Sequence, residues 1–246
     1  MEVLVILPAF NEASAIGGVL KSLPDEIEGH DVIPLVVDDG STDGTAEVAR
    51  SAGVDVICQE SNRGKGAALC AAMDMLHDRE FGAMVWMDSD GQHLPSSLTD
   101  VVGPVLAGDV DLCVGSRYLT ASGGEHAPWN RRMVRAGTIA AVERITGERI
   151  TDPFSGFRAF SQRAAEAVEL VGCGYEAELE SHFAVVGAGM RFLEVPIPRL
   201  YGENTSKMGA RHGEAIGRLL VVAGYARTLR RAWRQRSRTG GATVHA

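Results

Sequence analysis

The chain reads as an α/β protein built on a mostly parallel sheet with helices on both faces. Short β-branched runs alternate with helical periodicity through the first half. Those runs are apolar at nearly every position rather than at every second one, as strands covered on both faces require. Polar clusters fall where the runs end, the edge at which open parallel sheets gather their ligands.

The elements follow in order. VLVILP (3–8), VIPLVVDD (32–39), VDVICQ (54–59), FGAMVWMD (81–88) and VDLCVGSR (110–117) read as strands. Between them, residues 12–23, 42–53, 64–78 and 95–108 carry helical spacing. Beyond residue 118 a glycine-rich stretch leads to a basic helix at 129–147, the segment DPFSGFRAFS (152–161), an acidic helix from YEAELE onward, and a proline-punctuated strand at 191–202. This half is expected to complete the sheet. Residues 1–210 form the expected domain, with 211–246 as a C-terminal appendage.

Composition narrows the function. With 45% hydrophobic and 23% charged residues, the 246-residue chain is an ordinary globular protein. A net charge of −8 argues against nucleic-acid binding, which needs a basic face. Seven arginines and no acid lie within 218–238. There Leu219, Val222, Tyr225/Ala226, Leu229 and Trp233 share one helical side, a pattern that suits an interfacial helix on an anionic membrane or, equally, a helix packed on the body. No apolar run approaches the roughly 20 residues of a spanning helix. Four scattered cysteines without a CxxC pair indicate neither zinc nor a disulfide framework, so the cytoplasm is expected, extending to the inner membrane face.

Each strand-end cluster has a chemical and a structural reading. In PAFNE (8–12), proline stops a strand and Asn11 can cap a helix. VVDDGSTDGT (36–45) offers Asp38 and Asp39 to a nucleoside, or caps a helix. NRGKGAAL (62–69) lacks P-loop spacing, yet places Arg63 and Lys65 at a helix start where an anion can sit. MDSDGQH (87–93) sets Asp88 and Asp90 one residue apart past a strand end. Such a pair suits Mg²⁺ or Mn²⁺, hard cations that accept one or two carboxylates and keep positions for phosphate oxygens; Ser89 or Asp90 could instead cap the next helix. GSRY (115–118) brings Arg117 to the same edge, fit for phosphate. Arg131 and Arg135 share a helix face. His93 reads as a supporting residue.

In this order and spacing, PAFNE, VVDDGSTDGT, NRGKG, MDSDGQH, GSRY and DPFSGFRAF resemble the inverting glycosyltransferases of family 2, and within it the dolichyl- or polyprenyl-phosphate mannosyl- and glucosyltransferases. The resemblance implies a GT-A fold, a GDP- or UDP-linked hexose donor and Mg²⁺ or Mn²⁺. Pro8, Phe10 and Glu12 would border the nucleobase, Asp39 would read the nucleoside, and Lys65 and Ser89 would complete the donor's surroundings. Asp88, Asp90 and Gln92 match metal-binding positions, and Arg117 a phosphate contact. Ser155, Gly156, Arg131 and Arg135 fall on the acceptor side. The family's Arg-x-x-x-Ser pair for an acceptor phosphate is here Arg131 and Arg135. Polyprenyl phosphate is the expected acceptor, at a membrane contacted through the tail, and a homodimer is among the expected assemblies. A soluble hydroxyl acceptor would need a base, for which Glu178 is the choice; a nucleotide-sugar-binding module without turnover is the non-enzymatic alternative.

Overall fold

In the computed structural model of the chain, residues 1–119, 129–172, 174, 176–198 and 214–238 are described. Eight strands form one sheet: β1 (Glu2–Ala9), β2 (Glu26–Ile27), β3 (His30–Asp38), β4 (Asp55–Cys58), β5 (Ala83–Trp86), β6 (Leu112–Ser116), β7 (Arg158–Phe160) and β8 (Phe192–Pro196). Their order is β2-β3-β1-β5-β7-β6-β8, with β4 paired to β3. The helices are α1 (Ala13–Ser22), α2 (Thr45–Ser51), α3 (Lys65–Met75), α4 (Leu98–Leu106), α5 (Trp129–Thr146), α6 (Gln162–Ala167), α7 (Ala177–Gly187) and α8 (Glu214–Arg238). No helix among the described residues is long and apolar enough to cross a membrane.

The continuous apolarity of β1 has a direct cause. Val3, Val5 and Leu7 face one core, and Leu4 and Ile6 face the other. Alternate side chains leave a strand on opposite faces, so a strand covered on both sides is apolar throughout. β1 pairs in parallel with β3 and β5, which puts the ends of all three, at Ala9, Asp38 and Trp86, on one edge.

Sequence patterning did not mark β2, β7 or α6. β7 matters most for function. It lies antiparallel between β5 and β6, with Arg158 opposite both Trp86 and Val114. Running backwards, it begins at the edge where β5 and β6 end, so residues 152–157 arrive beside MDSDGQH. Three residues are too few to show a period, which is why the segment reads as a loop.

Of the two readings of the α8 stripe, packing on the body holds for part of it. Tyr225 is buried, its ring 4.7 Å from that of Phe154, and Leu229 packs against a cluster of Val142, Ile150 and Leu179. Arg231 pairs with Glu180 at 3.3 Å. Two of the side chains expected to face lipid therefore face the body, because α5 and α7 offer them an apolar groove. Leu219 lies among side chains outside the described set.

One polar residue ties three elements together. Asp111, buried just before β6, accepts hydrogen bonds from Arg163 Nε and Nη2 (2.5 and 2.6 Å), Ser161 Oγ (3.1 Å) and the Arg191 N–H (3.0 Å). The bond from Arg163 holds its carboxyl down at about 2 against the opposing effect of burial. A carboxylate held below its unfolded value stabilises the fold above that unfolded value and loses the contribution as pH falls through the folded one. Asp111→Asn is therefore expected to lower the unfolding free energy at neutral pH by about 2 kcal/mol, read by urea titration. It should also remove a stability loss that the parent shows as pH falls from 3.8 to about 2. An unchanged denaturation midpoint would refute this role.

Candidate functional site

The first two strand-end clusters interlock. Asn11 takes a left-handed conformation (φ 55°), which asparagine tolerates. Its N–H donates to Ser41 Oγ (2.9 Å), while its Oδ1 accepts from the Thr42 N–H (2.9 Å). The Glu12 N–H donates to Thr45 Oγ1 (2.8 Å), and the Ala13 N–H to Asp43 Oδ2 (3.1 Å). Asn11 is thus not the cap of α1; Asp43, reaching from the next loop, accepts from that helix's first N–H. Pro8 and Phe10 are half-buried on this wall of the edge, and Glu12 is buried.

Asp39, buried at the end of β3, receives the N–H groups of Arg63 (2.7 Å) and Gly64 (2.8 Å) on its two oxygens. This fixes the start of α3, where Gly64 sits at φ 100°. Lys65 is the helix's first residue, and its direction follows from that anchor. Its ammonium donates to Asp88 Oδ1 and to Glu178 Oε1, the latter at 2.7 Å.

Three parts of the chain that are remote in sequence meet at this ammonium: the third strand-end cluster, the Asp-x-Asp loop and α7. The electrostatics follow from the contact. Burial works to raise the Asp88 pKa, but Lys65 beside it, aided by His93 and Arg117, brings it down to about 2. Burial and the Asp88 charge raise Asp90 to about 6, against the hydrogen bond it accepts from the Gln92 N–H (2.9 Å). Burial raises Glu178, partly offset by Lys65. Its second oxygen, Oε2, is buried and has no partner among the described residues.

His93 supports the loop. Nδ1 accepts the Asp88 N–H (3.3 Å), so the ring proton belongs on Nε2, and the ring stacks on Phe157 with centroids 5.2 Å apart. Burial pushes its pKa down to about 4, which leaves it neutral at physiological pH.

Gly156 closes the cluster. A Cβ there would lie 2.6 Å from both oxygens of the Asp88 carboxylate. Only a bare backbone fits against the Lys65–Asp88 pair, and the reversed strand β7 is what delivers that backbone.

Several expected contacts are turned inward. Ser89 is buried and donates to the Pro8 carbonyl (2.8 Å), binding the β5 loop to the β1 loop. Ser155 is fully buried and donates to the Gly115 carbonyl (2.6 Å) rather than facing an acceptor. Arg135 lies over the Tyr118 ring at 3.9 Å and donates to the Thr151 carbonyl (2.9 Å), docking α5 onto the end of β6. Glu178, the expected base, is held by Lys65. The side chain of Arg131 lies outside the described residues.

Asp152 went unrecognised in the sequence. It is fully buried and grips Arg117 through Nε (2.7 Å), Nη2 (3.0 Å) and the backbone N–H (3.2 Å). Glu194 of β8 fixes Asp152 in turn, accepting from the N–H groups of Thr151 (2.6 Å) and Asp152 (2.9 Å). The signal was present in DPFSGF, whose aspartate precedes a proline. A guanidinium has five N–H donors. Two of those on Arg117 go to Asp152, so the group stands fixed at the edge with donors remaining for an anion.

The donor set also suits a divalent cation. Asp90 is loaded with negative charge by Asp88 and, more weakly, by Glu12. Two hard carboxylates, Asp88 already paired with Lys65 and Asp90 uncompensated, on a loop beside a fixed guanidinium, fit Mg²⁺ or Mn²⁺ bound together with phosphate oxygens. Gln92 contributes its backbone N–H to Asp90.

Comparison with known proteins agrees with this geometry. The family Glycosyl transferase family 2 matches residues 4–168. A polyprenol monophosphomannose synthase of Mycolicibacterium smegmatis is 34% identical over 79% of this chain and 76% of its own. An undecaprenyl-phosphate mannosyltransferase of Micrococcus luteus is 31% identical over 88% and 91%. Among solved structures, the glucosyl-3-phosphoglycerate synthase of Mycobacterium tuberculosis, in complex with Mg²⁺ and uridine diphosphate, superimposes with a TM-score of 0.67 at 25% identity, over 91% of this chain and 79% of that one. The architecture is the GT-A fold.

Two glycine substitutions test the packing. Gly156→Ala is expected to cost about 2–3 kcal/mol, because overpacking here also parts a buried ion pair. Gly18→Ala, in α1 with nothing within 4 Å of the added carbon, should stabilise by about 0.5–1 kcal/mol. Urea unfolding of both variants checks the contrast, and equal effects would contradict it.

Proposed function

We propose that this chain, which belongs to glycosyl transferase family 2, transfers a hexose from a nucleotide-diphosphate sugar to a polyprenyl phosphate. The observation that carries the acceptor class is the state of Glu178. A hydroxyl acceptor must lose a proton as it attacks, and the carboxylate expected to take it is buried and bonded to Lys65. A phosphate monoester is already an anionic nucleophile and needs no base. The two relatives, each about a third identical over most of the chain and named for polyprenol-type phosphates, support the same acceptor.

The reaction is a single displacement. An acceptor phosphate oxygen forms a bond to the anomeric carbon from one face. The bond from that carbon to the diphosphate oxygen breaks on the other, and its electron pair leaves with the nucleoside diphosphate. The sugar's configuration inverts and no proton moves. Asp88 and Asp90 would hold Mg²⁺ or Mn²⁺, and the ion would supply positive charge to offset that of the leaving diphosphate. Arg117, aimed by Asp152, adds a fixed positive charge where negative charge develops. Lys65 positions Asp88 so that Asp90 alone remains uncompensated. Asp39 shapes the loop at Arg63 and Gly64, and Pro8, Phe10 and Glu12 border the donor's base. Arg131 stands on the acceptor side, while Arg135 holds its helix against Tyr118.

The similarity to a synthase named for phosphoglycerate favours a second reading, a small soluble acceptor. One assay separates them. The protein is incubated with labelled nucleotide hexoses, Mn²⁺ and polyprenyl phosphate, and the products are extracted with organic solvent. Label is expected in the lipid phase. EDTA should abolish it, and Asp90→Asn should reduce it about 10²-fold or more with the fold intact. Label confined to water-soluble product would overturn the lipid-phosphate acceptor, and an undiminished Asp90→Asn variant would overturn the metal seat.

A further inference from the structure

We infer that Arg158, the first residue of β7, is a positioning residue for the site: it grips the turn that precedes it and so holds Asp152 on Arg117. Its guanidinium is wholly withdrawn from water. Nε donates to the Ser155 carbonyl (2.8 Å), Nη2 to the Pro153 carbonyl (3.2 Å) and Nη1 to Ser181 Oγ (3.5 Å). A buried cation normally sits directly on a carboxylate, yet these three partners are neutral. Its charge is balanced through space instead: burial lowers its pKa, and the charges of Glu178, Asp152 and Glu194 around it oppose that. What the side chain supplies by contact is shape, a planar fork that meets two carbonyls of one turn at once.

The turn is short, so fixing those carbonyls fixes the residue ahead of them. Asp152 precedes Pro153, and its own carbonyl closes the turn by accepting the Ser155 N–H (3.2 Å). Its carboxylate takes Nε and Nη2 of Arg117. Glu194 holds the backbone at Thr151 and Asp152, Ser155 Oγ ties the turn to the Gly115 carbonyl, and Arg158 holds the stretch between them. The third partner, Ser181 Oγ, donates onward to the Glu178 carbonyl (3.1 Å), so the same guanidinium also reaches the turn of α7 that meets Lys65. A lysine at this position would keep the charge but present a single ammonium, without the fork. The turn would loosen, and Arg117 would lose its fixed aim while keeping its own charge. The consequence for rate rests on the transfer reading, in which Arg117 meets negative charge developing on the departing diphosphate. The chain of contacts from Arg158 to Arg117 involves no substrate.

Two readouts in the full chain test the inference, and the first does not depend on turnover. It is the exchange of the Arg117 Nε–H with water, followed by NMR with neither donor nor acceptor present. Arg158→Lys is expected to speed this exchange about tenfold or more, whereas that of Arg79, whose Nε donates to Glu2 at the start of β1, should stay unchanged. In the parent, a comparison that needs no variant, the Nε–H groups of Arg117 and Arg158 should lose protection together as urea is added below the unfolding transition. The second readout is a double-mutant cycle on kcat for transfer to polyprenyl phosphate. Arg158→Lys should lower kcat about tenfold or more in the parent, with the donor KM within about twofold, but less than about twofold in the Arg117→Ala background. A merely structural arginine gives equal losses in both backgrounds, and that result would overturn the inference. So would an Arg117 exchange rate indifferent to Arg158→Lys, or an Arg117 that urea releases while Arg158 stays protected. If exchange responds as expected but the parent glycosylates no polyprenyl phosphate, the positioning role stands and the acceptor reading falls.

Discussion

One ammonium organises the carboxyl edge of the sheet. Lys65 lies between Asp88 and Glu178, and all three are partly or wholly withdrawn from water. Charges in that position persist only when paired, and removing one partner of such a set costs about 3–5 kcal/mol. The pairing therefore fixes three things at once: the Asp-x-Asp loop, the start of α3 and the face of α7. It also settles how two neighbouring carboxylates coexist. Asp88 is neutralised by a resident side chain and stays ionised. Asp90 retains the repulsion and is driven up to about 6. The asymmetry is chemical, since only one of the two is already matched with a cation.

The topology exists around that contact. In a purely parallel sheet the segment before the next strand would arrive at the far edge. β7 runs backwards between β5 and β6, so residues 152–157 reach the near edge. The turn places Asp152 on Arg117, Ser155 on the Gly115 carbonyl and Gly156 against Asp88. Glu194, from β8 on the other side of β6, holds Asp152 in place. The position of Arg117 is thus set by residues carried on three strands rather than by its own loop alone.

Much of this was legible in the sequence, and the reasons differ by element. The strands β1, β3, β5 and β6 are near-continuous apolar runs because both faces are covered, and their polar ends mark the site. Asp88, Asp90, Lys65 and Arg117 were singled out because their types and places near strand ends are chemically loaded, and the fold gathers them at one edge. Partners across the fold were not legible. Nothing local tells that Ser89 donates to Pro8, that Asn11 holds Thr42 rather than capping α1, or that Glu178 meets Lys65 from 113 residues away. Ser155 and Glu178 were assigned to chemistry because hydroxyl and carboxylate groups invite it, while burial gave both a positioning role. Asp152 was passed over for the opposite reason: an aspartate before a proline reads as turn punctuation. The stripe on α8 had the right periodicity, but a helical stripe does not say whether protein or lipid covers it.

The central claim is that Lys65 answers Asp88 and leaves Asp90 facing a cation with the donor's diphosphate. Anomalous diffraction at the manganese edge, from crystals grown with Mn²⁺ and a nucleoside diphosphate, tests it most directly. The account predicts a single strong peak at the Asp88–Asp90 loop, contacting an Asp90 oxygen and the diphosphate, with Lys65 still bonded to Glu178. A nucleotide bound at the sheet edge with no peak at that loop, or with the ion held elsewhere, would contradict it.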